Sequence, residues 1–363
     1  MKVYHNGRIF TGSEIIDNQC VVVENNKVSA IVHPENMPSQ AERIDLYGHL
    51  LAPAFIDIQI YGGNEHLFGE FPSVEALAAT YDYCRAGGAH HFLPTVATNS
   101  EAVMFAAIEA VRDYWAQGGK GVLGLHLEGP YINVSKRGAH IQKFIKNDPS
   151  VSDIEKLISV GKGVVKIMTL APEVCSDDVI DLLQANDIIV SAGHTNATFE
   201  EATAAFDKNI GLATHLFNAM SPFGHRAMGV VGAIFAHPKV QVSVVADGYH
   251  VDFEAIKIAK KVLGDRMFYI TDAVTENTEG VYSHRLEGEK YVVADGTLSG
   301  SALTMLKCVQ NGVEKISIPL EESLRMASLY PARALGLDKR FGRIEKGFEA
   351  DFVLLDGGLN IIR

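Results

Sequence analysis

Residues 188–220 read IIVSAGHTNATFEEATAAFDKNIGLATHLFNAM, an apolar run, a helical stretch and a second apolar run. The β-branched opening and the short GLATHLF segment suit buried strands, while the intervening ATFEEATAAFDKN suits a helix. The same alternation extends in both directions. Upstream lie LLAPAFIDIQI (50–60), HFLPTVAT (91–98), VLGLHLEG (122–129) and GVVKIMTLAPE (163–173); downstream lie VQVSVVADGYH (240–250) and RMFYITDAV (266–274). Helical stretches such as VEALAATYDYCRAGG, EAVMFAAIEAVRDYW and VDFEAIKIAKKVLG separate them. Eight buried strands alternating with helices predict an α/β fold, a (β/α)8 TIM-like barrel. A doubly wound open sheet is the runner-up, but no GxGxxG follows the first strand.

The chain ends have a different character. VYHNGRIFTG carries an Asn-Gly turn, CVVVENNKVSAIV reads as a hairpin around Glu24-Asn25-Asn26, and GRIEKGFEADFVLLD (342–356) is again short β. Such hairpins predict a small antiparallel sheet. The expected organisation is a small β-sandwich domain from residues 1–50 plus 336–363, and a catalytic barrel over 51–335.

The chain has 363 residues, 47% hydrophobic and 21% charged, ample for a large core and unlike a disordered protein. A net charge of −12 argues against nucleic acid or an anionic membrane as partner, while leaving room for an anionic small molecule. The four cysteines, Cys20, Cys84, Cys175 and Cys308, form no CxxC pair. That fits buried thiols in a reducing compartment and disfavours a Cys-ligated zinc site. The opening MKVYHNGRIFTGSE has no apolar signal segment, and no run of about 18 apolar residues predicts a span. A soluble, cytoplasmic protein is expected.

The informative residues are those at which the apolar runs stop. Strand 1 stops at Gln59, strand 3 at Glu128, strand 5 at His194, strand 6 at His215 and strand 8 at Asp272; Glu173, Asp247 and His250 close two others. Polar side chains at the C-terminal ends of barrel strands face the loops that form barrel active sites. Glu128, His194 and His215 would give a divalent metal three ligands and leave a fourth position for water, whose pKa zinc lowers to roughly 7. Asp272 then stands where a general base is needed. Each has a plainer reading: a lone strand-end His is commonly a structural hydrogen-bonding residue, Glu128 could cap its loop, and Asp272 could cap a helix. The joint placement favours the metal hydrolase. His66, His90, His91, His225 and His237 fit no strand-end pattern and read as surface or loop residues.

HLEGPYIN (126–133), SAGHTNAT (191–198), THLFNAM (214–220), VADGYHVD (245–252), ITDAV (270–274) and LSGSALTM (298–305) occur in this order. Together with LAPAFIDIQIYGG (51–63), LYPARALGL (329–337) and ADFVLLD (350–356), they resemble the N-acetylglucosamine-6-phosphate deacetylases of the amidohydrolase superfamily over nearly the whole chain. The resemblance implies metal-dependent hydrolysis of the N-acetyl group of N-acetylglucosamine 6-phosphate, in amino-sugar catabolism and cell-wall sugar recycling. Glu128, His194 and His215 match the family's metal ligands and Asp272 its acid/base. Ala139 and His140 match contacts to the sugar and its N-acetyl carbonyl, which His140 helps polarise. Asn218, Ala219 and Arg226 match phosphate-binding positions, His250 another substrate contact, and Leu298, Ser299 and Gly300 a pocket wall. A homodimer is implied as well, with phosphate contacts sometimes supplied across its interface.

Two departures stand out. Many amidohydrolases carry an HxH pair after strand 1 that binds a second metal, whereas this chain has Gln59-Ile60-Tyr61. One divalent ion is therefore expected, Zn²⁺ first, with Fe²⁺, Co²⁺ or Mn²⁺ compatible with the same ligands, and Gln59 as a hydrogen-bonding neighbour. The sequence also stops at GGLNIIR, where relatives continue into one more strand; either a shorter satellite sheet or a truncated chain is implied. The rival readings are a deacetylase or deaminase for another substrate, against which the phosphate-site matches argue, and a silent barrel, which would be expected to have lost ligands.

Overall fold

Eight parallel strands follow one another around the barrel in chain order: Phe55–Ile60, Ala89–Ala97, Leu125–Glu128, Val165–Leu170, Ile189–Ala192, Leu212–Ala213, Gln241–Val245 and Met267–Ile270. The structure, a computed structural model, describes residues 1–362. The eighth strand returns to the first through Asp272 N–H to the Gln59 carbonyl at 3.0 Å and Tyr61 N–H to the Ala273 carbonyl at 2.9 Å. Two strand-end residues singled out from the sequence therefore lie on the seam that closes the barrel.

Helices Val74–Ala86, Glu101–Ala116, Val151–Gly161, Asp177–Ala185, Phe199–Asp207, Gly229–Ala236 and Phe253–Leu263 occupy the connections between consecutive strands. Their starts are encoded locally. Thr198 accepts from Glu201 N–H while the Glu201 carboxylate accepts from Thr198 N–H, a capping box that fixes the chain four residues after His194. After the eighth strand, a three-stranded antiparallel sheet, Arg285–Glu287, Lys290–Val292 and Leu298–Ser301, precedes helix Met305–Glu314.

The chain ends form two four-stranded sheets. One pairs Lys2–His5 with Cys20–Glu24 and Glu42–Asp45; the other pairs Arg8–Phe10 with Ile15–Ile16 and Leu50–Pro53, with the late strand Phe352–Leu355 along Leu50–Pro53. Ile9 and Leu51 from one sheet pack with Val21, Val23 and Val28 from the other. The expected hairpin at Asn25-Asn26 is present, both residues being left-handed with φ 50° and 58°. The Asn6-Gly7 turn closes no hairpin: it carries the chain from one sheet to the other, and two of the pairings are parallel. The expectation of a purely antiparallel sheet is corrected accordingly.

His90 and His91 also differ from the surface reading given them. They lie half-buried in the second barrel strand, with His90 Nδ1 2.5 Å and His91 Nε2 2.9 Å from the carboxylate of Asp351, and His91 tilted against Phe341. Among the described residues no helix is long and apolar enough to cross a membrane, and all four cysteines are free.

Candidate metal centre and active site

His194, His215 and Asp272 each sit two residues beyond the last residue of a barrel strand, with left-handed φ of 48°, 40° and 54°. Non-glycine residues are held there only where the surroundings over-determine them, and such strain concentrates at functional sites. The turn aims each side chain inward. One ligand atom from each of Glu128, His194 and His215 lies within 4.8 Å of the others, and all three residues are buried.

The donor set fits a divalent cation. His194 Nδ1 donates to the Lys136 carbonyl at 2.8 Å, which leaves its Nε2 lone pair facing inward. That Nε2 lies 3.1 Å from His215 Nε2, and the two stand 3.4 and 3.0 Å from Glu128 Oε1. Two buried imidazole nitrogens converging on one carboxylate oxygen, with no thiolate, is the ligand chemistry of a catalytic zinc-type site. Burial works to raise Glu128, but His194, His140 and His215 hold it well below the usual carboxylate range. Among the described residues, His215 Nδ1 is buried with no hydrogen-bond partner.

Asp272 is reached through Gln59, whose Nε2 donates to Asp272 Oδ1 at 2.8 Å and to Glu128 Oε1 at 3.0 Å. Burial raises the Asp272 pKa, against the opposing pull of His250 and His215. Its other oxygen faces His250 Nε2 at 3.5 Å, and His250 Nδ1 lies 2.6 Å from Asp247. Burial works to raise Asp247 too, yet His250 and two backbone N–H groups bring it below its ordinary value. His140 closes the opposite side. Its Nε2 lies 3.1 Å from Glu128 Oε2, and its Nδ1 faces the Thr98 backbone N–H and hydroxyl. Burial lowers its pKa to about 4, so at neutral pH it is uncharged; Thr98 N–H donating to Nδ1 makes Nε2 the donor.

A cavity of about 160 Å³ opens over these groups. Glu128, His194, His215 and Asp272 form its floor, and Ala139, His140, Asn218, Ala219 and His250 line it, as do Leu298, Ser299 and Gly300 from the sheet after strand 8. Gln59 lies beneath, 1% exposed. Arg226 is the residue not brought in: it is exposed on the loop before helix Gly229–Ala236 and lines no part of the cavity. No Lys or Arg is among the lining residues.

Sequence reasoning missed the support below. His126 donates to the Ile58 carbonyl and meets Thr169 Oγ1 at 2.7 Å; Thr169 then meets Thr214, and Thr214 meets Ser191. This buried hydroxyl layer crosses strands 3 to 6 directly under the ligands. Its signal is small polar residues spaced within otherwise apolar strands. Glu173, in sequence only a strand end, sits past the strand, accepting from Asn133, Thr195 and Asn196, and so pins the turn that follows His194.

The profile of the Amidohydrolase family matches residues 50–362, and that of the NagA composite domain matches residues 3–51. An N-acetylglucosamine-6-phosphate deacetylase of Haemophilus influenzae is 34% identical over 98% of this chain and 95% of its own. The crystal structure of the Pasteurella multocida deacetylase superposes with a TM-score of 0.94 at 36% identity, covering 99% of this chain and 96% of that one. A mutant of the Mycobacterium smegmatis deacetylase, in complex with N-acetyl-D-glucosamine-6-phosphate, superposes at 0.90 with 26% identity over 99% and 96% of the two chains.

Proposed function

The chain belongs to the amidohydrolase family, and from that premise and the site above we infer that it hydrolyses the N-acetyl group of N-acetylglucosamine 6-phosphate, giving glucosamine 6-phosphate and acetate. The observation that carries the reading is the convergence of Glu128, His194 and His215 at a cavity floor shared with Asp272. The family uses a divalent metal, and the three residues would hold it; we propose Zn²⁺. When bound, such an ion acts as a Lewis acid on the amide carbonyl and lowers the pKa of water.

The chain's own groups supply the rest. Asp272, with Oδ1 held by Gln59, takes the proton of the attacking water and returns it to the departing nitrogen, for which a carboxyl raised by burial is suited. The uncharged His140, whose Nε2–H rests on Glu128 Oε2 in this structure, turns that donor to the carbonyl oxygen as charge develops there. Thr98 fixes that tautomer, and Asp247 fixes the ring of His250 against the sugar. Asn218 and Ala219 lie at the phosphate end, with Ala139 and the 298–300 segment as walls.

A phosphate dianion would meet no cation among these lining residues. This supports a homodimer in which Arg226, exposed outside its own cavity, serves the cavity of a second copy. Arg226→Ala is expected to raise KM for the phosphorylated sugar while leaving slow turnover of the unphosphorylated sugar unchanged; equal loss on both would remove the assignment. Four free cysteines support a cytoplasmic location.

The decisive assay is acetate release by zinc-loaded protein from N-acetylglucosamine 6-phosphate, beside the unphosphorylated sugar and the galactosamine epimer. Turnover of the phosphorylated glucosamine substrate well above the unphosphorylated one is expected. No turnover by protein carrying one ion per chain would redirect the site to another N-acyl substrate.

A further inference from the structure

The two oxygens of Glu128 keep different company. Oε1 faces His194 Nε2, His215 Nε2 and the Gln59 amide. Oε2 accepts the hydroxyl of Tyr61 and the Nε2–H of His140. Glu128 is 1% exposed and Tyr61 9%, so the bond between them is buried. We propose that Tyr61 is a positioning residue for the metal ligand: its hydroxyl occupies Glu128 Oε2, so that Oε1 alone is presented to the ion.

The phenol is built to stay in place. Tyr61 follows the first barrel strand on the closing seam, where its N–H donates to the Ala273 carbonyl at 2.9 Å and its carbonyl accepts Gly69 N–H at 3.1 Å. Its ring packs in a small apolar cluster with Leu67, Ala97, Val274 and Tyr282, separate from the barrel core. A hydroxyl fixed by backbone on one side and packing on the other cannot follow the carboxylate if it turns. It defines the carboxylate's orientation instead. Gln59 and Tyr61 are two residues apart, and their N–H and O–H both point at Glu128. Where paired imidazoles would offer lone pairs to a second cation, this chain offers hydrogen-bond donors, which disfavour one.

Removing the hydroxyl leaves Oε2 with a single donor and free to swing toward the ion, changing both affinity and coordination number. Outer partners of metal ligands typically contribute 10- to 100-fold in metal affinity. The inference rests on the metal site proposed above, and the test separates the two. Zinc dissociation constants would be measured by chelator competition on metal-free wild type, Tyr61→Phe and Val274→Ala, with visible absorption spectra of the Co²⁺-loaded forms and melting temperatures of the metal-free ones. Tyr61→Phe is expected to bind zinc 10- to 100-fold more weakly and to show weaker, shifted Co²⁺ bands as Oε2 joins the ion. Val274→Ala, which loosens the same cluster but keeps the hydroxyl, is expected to melt lower with zinc affinity and Co²⁺ spectrum unchanged. Affinity within threefold of wild type and an unchanged spectrum for Tyr61→Phe would overturn the inference. So would an equal loss in Val274→Ala, which would reduce Tyr61 to packing. Failure of the wild type itself to bind a divalent ion would instead overturn the metal site.

Discussion

At the scale of single residues, the site assigns different failures to different side chains. Among the described residues, Asp272 is hydrogen-bonded toward the ligand set only by way of Gln59, so its amide analogue should leave the ion in place. Asp272→Asn is expected to bind metal as wild type and lose 10²- to 10⁴-fold in turnover, the usual worth of a general acid–base; His194→Ala should lose both, and metal analysis beside acetate release distinguishes them. A near-normal rate in Asp272→Asn would remove it as acid/base. These four residues, Glu128, His194, His215 and Asp272, were legible because each is a polar group ending an apolar run. His140 follows no strand and was marked only by family resemblance. Tyr61 was marked only as standing where a second imidazole would be, and the fold adds that its hydroxyl points at Glu128. His126 was unread because an imidazole within an apolar stretch reads as core, and only the fold shows that it bridges strands 1 and 4.

At the scale of elements, all eight strand positions were legible, but their lengths were not. GLATHLFNAM contributes only Leu212–Ala213 to the sheet, because the chain must leave the strand early to turn His215 inward. The sheet of residues 285–301 was unread, since its strands are only three or four residues long, the first exposed and the other two half-buried, and carry no clear alternation. The seam between strands 1 and 8 has a titratable pin. Asp57, 1% exposed, accepts Thr271 N–H and Gln59 N–H on Oδ1 and meets the Thr271 hydroxyl on Oδ2. Burial outweighs these bonds and pushes its pKa up to about 7. A folded pKa above the unfolded value of about 3.9 means the folded protein holds an extra proton between these limits, so stability is full below pH 4 and declines as pH rises to 7. Asp57→Asn puts an amide in the place of the protonated acid, its N–H donating to Thr271 Oγ1 while that hydroxyl turns to the Gln59 carbonyl. The variant should therefore lack the decline and exceed wild type above pH 7, by up to about 4 kcal/mol. Unfolding midpoints of metal-free protein from pH 4 to 8 test this; parallel curves would refute it.

At the scale of the whole molecule, the first and last segments of the chain are joined to the barrel as well as to each other. Phe352–Leu355 pairs with Leu50–Pro53, which leads straight into the first barrel strand, and the Asp351 carbonyl accepts Ala54 N–H. The sequence showed β character at both ends, but the attachment to the barrel is reinforced by His90 and His91, which resemble surface residues until Asp351 is brought beside them. Burial works to raise Asp351, but His90 and His91 outweigh it and hold its carboxyl far below the usual range. A depressed folded pKa places this contribution above the unfolded value of about 3.9, and it is lost as pH falls further. With Asp351 a third exposed, the contribution is about 1 to 2 kcal/mol at neutral pH. Asp351→Asn should melt a few degrees lower at pH 7 and approach wild type as the pH falls below 4, because wild type loses there what the variant never had. Turnover at neutral pH should be unaffected, since the pin lies at the start of the second strand and the cavity at the strands' far ends. A constant gap in midpoint across that range would show that Asp351 acts through packing rather than charge.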